Sequence, residues 1–204
     1  MYTGVRTCRL LILSLLLCAN ATAGIKFDLA RKSPDAQPVA FAGKKVAVLI
    51  MSPNRAARRA AEEFLAKEIT VRGAEGVAAH ILIPESDLQD KEKAKSLLQE
   101  AGVVGAVVIR PLAKGGVSIG PDMWKDPQYE SLWGFYGESW RGAEDSAKAP
   151  SDLKILVETL VYSLEQDTLL WIGTSQTKAS KLDEFIHELV GAVAEEMRKE
   201  GLLQ

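Results

Sequence analysis

Thiols, imidazoles and surplus positive charge are all scarce in this 204-residue chain, and each scarcity removes a class of function. Both cysteines, Cys8 and Cys18, lie near the amino terminus. A body that starts beyond them has no disulfide and no thiolate metal site, so its stability must come from packing. The only histidines are His80 and His187, which leaves little for acid–base or metal chemistry. Lys and Arg number 25 against 27 Asp and Glu. That balance argues against nucleic acid as a partner, because neutralising phosphates takes a clustered basic face. No internal repeat occurs. Glu184-Phe185-Ile186-His187 is a Glu-x-x-His element in a single copy, where di-iron bundles use two. Neither a metal nor another cofactor is expected.

What the chain has first is a secretory address. Arg6 and Arg9 form a basic start, Leu10 to Cys18 a greasy run, and Ala21-Thr22-Ala23 a small-residue cleavage site before Gly24. The run is too short to span a bilayer, which takes about 20 apolar residues. Residues 1–23 therefore read as a signal peptide, and the protein as periplasmic or secreted. Clipping it leaves 23 basic and 27 acidic residues. Cys18 offers an alternative, since a cysteine closing such a run can be lipidated, which would make an outer-membrane lipoprotein. Leu17 stands where that processing prefers a small residue, so the cut after Ala23 fits better and membrane attachment is expected only through Cys18.

Residues 24–43, with Pro34, Pro38 and Gly43, read as an irregular lead-in, and residues 44–204 as one α/β domain. Val46 to Met51 is a continuous apolar run expected of a strand buried on both faces. Ser52-Pro53 then suits a helix start, with Ala57, Ala61, Leu65 and Ile69 on one stripe. Val77 to Ile83 reads as a second strand, Asp87 to Ala101 as a second helix, and Val103 to Arg110 as a third strand. This alternation predicts right-handed βαβαβ crossovers and three parallel strands.

Asp152 to Leu164 and Thr168 to Thr177 read as a carboxy-terminal antiparallel hairpin turning at Gln166-Asp167, with Tyr162 opposite Trp171 and Val161 opposite Ile172. Ser180 reads as the cap of a last helix whose inner face carries Leu182, Ile186, Leu189, Val193 and Met197. The expected architecture is a mixed sheet of about five strands packed by three helices.

Between Gly115 and Pro150 lies an insertion with no helical or alternating period and an unusual load of rings: Trp124, Tyr129, Trp133, Phe135, Tyr136 and Trp140. Disordered linkers are poor in aromatics, so the segment should fold. Two readings stand. The rings can close as a lid over the sheet, or Trp124, Tyr129, Trp133, Tyr136 and Trp140 can display a surface to an envelope protein, a glycan or a lipid layer.

Among polar candidates, Ser52, Asn54 and Arg55 open a helix directly after a buried strand, with Arg58 and Arg59 close by to receive an anion. Lys114 to Gly120 has the glycine density of a phosphate loop but is followed by Pro121 instead of a helix. His80 reads as a packed histidine bonded to backbone, His187 as facing water, and Glu158 as an exposed or edge-side polar residue.

Val157 to Tyr162 followed by Leu169-Leu170-Trp171, the closing helix that runs into Gly201-Leu202-Leu203, and the aromatic–glycine insertion together resemble a group of uncharacterised bacterial envelope proteins and lipoproteins. More distantly, the layout is similar to the TolB amino-terminal domain and to curli-channel and penicillin-binding-protein activator lipoproteins. The resemblance implies a partner-binding, non-catalytic module. The alternative expectation is a small-ligand or anion-binding protein, an enzyme included, built on the helix start at Ser52, Asn54 and Arg55. The sequence leaves the oligomeric state open.

Overall fold

The computed structural model describes residues 25–34, 36–112 and 126–204. The expectations for Cys18, Ala23, Gly24 and Trp124 and for the Lys114 to Gly120 stretch lie outside the described residues. Six strands form one mixed sheet: β1 Leu29–Lys32, β2 Lys45–Ile50, β3 Glu75–Ala78, β4 Gly105–Leu112, β5 Lys154–Ser163 and β6 Thr168–Lys178. The helices are α1 Arg55–Val71, α2 Ala79–Leu82, α3 Lys91–Glu100, α4 Pro127–Glu130, α5 Leu132–Ala147 and α6 Leu182–Lys199. The sheet order is β1-β6-β5-β4-β2-β3, with β2 parallel to both β3 and β4 and the remaining pairs antiparallel.

Strand alternation sorts the core into two layers. Val46, Val48 and Ile50 of β2 face α1 and α6, meeting Leu65, Ile69, Leu189 and Val193. Ala47, Leu49 and Met51 face the other way, onto Leu98 of α3 and Phe135, Tyr136 and Trp140 of α5. The chain steps from β2 outward to β3 and then back across β2 to β4, so right-handed crossovers place α1 and α3 on opposite faces. The carboxyl ends of β2 and β4 therefore form a topological switch point, the usual ligand crevice of open α/β sheets.

Several expectations need correction. The lead-in is not wholly irregular: β1 pairs with β6, and Phe27 packs edge-on to Trp171 at 5.2 Å. The predicted strand Val77 to Ile83 breaks after Ala78 into the short helix α2, because the Glu62 carboxylate accepts the backbone N–H of His80 and ties off the chain there. The hairpin closes through residues 164–167, not a two-residue turn, with Asp167 in the left-handed region (φ 48°). Leu170 is an extra residue in a β-bulge, so Tyr162 pairs with Leu169 and Val161 with Trp171. The bulge lets Leu170 and Trp171 enter the same core layer. Asn54, not Ser52, caps α1 by accepting from Ala57 N–H at 3.2 Å. A 3-10 turn over Ala179–Lys181 replaces the Ser180 cap.

The largest change is in the insertion. Leu132 to Ala147 is a helix whose buried positions are Leu132, Phe135, Tyr136, Ser139, Trp140, Ala143 and Ser146, a regular helical stripe. Among the described residues, no helix is long and apolar enough to cross a membrane.

Candidate functional site

At the start of α1 the positive charge is answered from within the molecule. Arg55, Arg58 and Arg59 bring cations to a helix end that already carries partial positive charge and has no acid in its first turn. Glu85, in the segment after α2, supplies the missing anion. Arg58 Nη2 donates to both Glu85 oxygens at 2.6 Å, while Arg55 and Arg59 approach the same carboxylate at 3.3 and 3.7 Å. The Arg58 hydrogen bond first, and the neighbouring charges after it, hold the Glu85 carboxyl below its ordinary range.

Asn54 is occupied as well, its side-chain amide donating to Asp183 at 2.6 Å while its oxygen caps the helix. Ser52 is buried, and its hydroxyl accepts from Asn54 N–H at 3.2 Å. The space between Ile50, Ser52, Arg58 and Ile186 is too tight for a water molecule. Asn54 and Arg55 thus meet the protein's own carboxylates, Asp183 and Glu85.

Under α5 lies a buried polar network that sequence reasoning missed. Arg110 and Glu158 are register partners on β4 and β5, facing the same layer. Arg110 Nε donates to Glu158 at 2.6 Å and Nη1 to Ser139 at 3.1 Å, and Tyr129 donates to the other Glu158 oxygen at 2.9 Å. The guanidinium lies 4.5 Å from the Phe135 ring centroid and 5.1 Å from that of Tyr129. Glu158 is fully buried, which corrects its reading as an edge-side residue. Burial, then the Glu158 charge, pushes the Tyr129 hydroxyl well above its usual range. The clue available in sequence was the pairing of two opposite charges inside otherwise apolar strands, which only register could connect.

A second buried carboxylate, Glu62 of α1, accepts from Ile50 N–H at 3.3 Å and from His80 N–H at 3.0 Å, and meets His80 Nδ1 at 2.7 Å. His80 Nε2 lies 3.2 Å from Glu63. Its ring thus bridges two glutamates, not the backbone contact expected. His187 is exposed, as predicted, and stacks on Phe64 at 5.5 Å. Among the described residues no cluster of three or more His, Cys, Asp or Glu could hold a metal ion.

The insertion's rings divide into two groups. Tyr129, Tyr136 and Trp140 are 5, 0 and 4% exposed, so they close over the sheet and offer no displayed surface. Tyr136 donates to the Leu88 carbonyl at 2.8 Å, and burial pushes its hydroxyl up to about 12. Arg58 reaches toward Trp140, 5.7 Å from its ring centroid. Trp133 alone among the described members of the expected surface is only partly buried. It forms one wall of a cavity of about 190 Å³, with Val103 and Leu164 as the other apolar groups and Lys95, Gln99, Glu165 and Asp167 as the polar ones.

Comparison with known proteins gives weak structural neighbours only. No protein-family model and no curated protein matches the chain. Among solved structures, the chain is similar to the dodecamer of a PelC variant from Paraburkholderia phytofirmans, at 14% identity and a TM-score of 0.41, covering 85% of this chain and 98% of that one. It is also similar to a second PelC dodecamer from the same organism, at 12% identity and a TM-score of 0.41, covering 86% and 99%.

Proposed function

We propose that this chain is an exported protein of the bacterial envelope that acts by binding a partner, without catalysis. The leader carries the compartment: a basic start, a short apolar run and Ala21-Thr22-Ala23 before Gly24. The absence of any cysteine from residues 24–204 suits such a body, since its folding needs no thiol chemistry. The binding role is supported by how the polar groups are spent. Arg55 and Arg58 are committed to Glu85, Asn54 to Asp183, and Arg110 to Glu158 and Ser139, which are structural ion pairs and not a poised acid and base. Kinship with the envelope proteins and lipoproteins named above, including the TolB-like and activator lipoproteins, belongs to the same proposal. An envelope protein or a glycan is the proposed class of partner.

Fractionation of a Gram-negative host expressing the full chain tests the compartment. Periplasmic release with Gly24 as the first residue is expected. A membrane-bound form with lipid on Cys18 would support the anchored variant of the proposal, and an intact Met1 terminus in the cytoplasm would overturn export.

A further inference from the structure

We infer that the cavity beside Trp133 is a binding site for one uncharged sugar ring of a saccharide. Three elements converge there: α3 contributes Lys95 and Gln99, α5 contributes Trp133, and the β5–β6 loop contributes Leu164, Glu165 and Asp167. At about 190 Å³ the cavity is smaller than the roughly 300–1,000 Å³ typical of sites for drug-sized ligands, so it suits one ring of a chain lying across the surface.

The lining is matched to such a ring. A pyranose has a face of C–H groups and a rim of hydroxyls. The electron-rich indole can receive the first, and Lys95 Nζ lies close to it, 5.9 Å from the ring centroid. The rim can be met by the Gln99 amide, which both donates and accepts, by the carboxylates of Glu165 and Asp167 as acceptors, and by the Lys95 ammonium as donor. Charge favours a neutral occupant. Two anions, Glu165 and Asp167, are balanced by two cations, Lys95 in the lining and Lys44, which holds Glu165 at 3.0 Å.

Burial separates Trp133 from its neighbours. Tyr129, Tyr136 and Trp140 supply the lid's core contacts, whereas Trp133, packed at the margin of that layer with its ring 5.5 Å from Tyr136, keeps part of its ring on the cavity wall. Asp167, in the left-handed region that Asp readily adopts in turns (φ 48°), places a carboxylate at the cavity rim. The inference rests on the binding-module reading, but its failure would leave export untouched, because fractionation reads the compartment independently.

Titration of the full-length protein, processed by its host, with cellotriose, tri-N-acetylchitotriose and trigalacturonate, followed by calorimetry and by tryptophan fluorescence, decides the matter. Saturable binding of at least one uncharged trimer is expected. Trp133→Ala should weaken it by about tenfold or more, Gln99→Ala by less, and Trp133→Phe should retain part of it. The near-ultraviolet circular dichroism of each variant reports whether the fold survives. No binding of either uncharged trimer up to about 10 mM would overturn the site. So would binding untouched by both Trp133→Ala and Gln99→Ala, or tighter binding of trigalacturonate than of the uncharged trimers.

Discussion

Arg110 and Glu158 show how a charge can sit inside a strand that reads as apolar. Each would be costly alone; together with Tyr129 and Ser139 they satisfy one another at hydrogen-bond distance. Removing one partner strands the other. Glu158→Ala is expected to lower the unfolding free energy by about 3–5 kcal/mol in urea denaturation, while the double change Arg110→Met with Glu158→Leu should recover much of that loss. A double variant no more stable than Glu158→Ala would deny that the pair acts as a unit.

Glu62 makes the opposite electrostatic case. Burial raises its carboxyl above the ordinary 4.5, against the hydrogen bonds from His80 and Ile50 that lower it. A raised value means that the folded state holds the proton more tightly than the unfolded chain does. Its stabilising contribution is therefore complete below about 4.5 and is lost as pH rises through the folded value. Glu85 works in the other sense: its lowered carboxyl stabilises above 4.5, and that contribution fades as pH falls through the folded value. Glu62→Gln should accordingly gain on the wild type as pH rises from about 4.5 to 7 in urea midpoints. A constant difference across that window would contradict the raised value.

At the scale of elements, α5 is where sequence reasoning failed most instructively. Its inward positions recur at helical spacing, but Gly134, Gly137 and Gly142 fall among them, and each glycine costs a helix about 1 kcal/mol, so composition argued for a loop. Tertiary contact explains two of the three. A methyl at Gly134 would stand 3.0 Å from the Pro127 carbonyl, and one at Gly142 would stand 3.3 Å from Leu112, so the absence of a side chain lets α5 lie close to α4 and β4. Nothing lies near Gly137. Gly137→Ala should raise stability by about 0.5–1 kcal/mol in thermal or urea unfolding. Gly76 is the contrast, because a Cβ there would collide with the Ala66 carbonyl of α1. Gly76→Ala is expected to cost about 1–3 kcal/mol or more, since backbone must shift to admit it. Equal behaviour of the two variants would refute this account.

For the molecule as a whole, the decisive addition is β1, in a stretch whose prolines suggested an irregular lead-in. It covers the β6 edge, and Phe27 shields Trp171, which is 1% exposed. Deleting residues 24–33 should lower the denaturation midpoint and promote self-association in light scattering, because the uncovered β6 edge can pair with another chain. An unpaired lead-in would be removed without effect.

Much of this architecture was legible from residue order alone. The βαβαβ half, the carboxy-terminal hairpin and the closing helix all followed from local periodicity and punctuation, which depend on neighbours a few residues away. Packing across the sheet decided what lay beyond that reach: that Glu85 meets the arginines of α1, that Arg110 finds Glu158, that the glycine-rich insertion coils, and that Trp133 is left on a cavity wall while its companions are buried. Those outcomes turn on solvent exclusion and register between segments remote in the chain, and charge pairing and burial acquire their energies only once such segments touch.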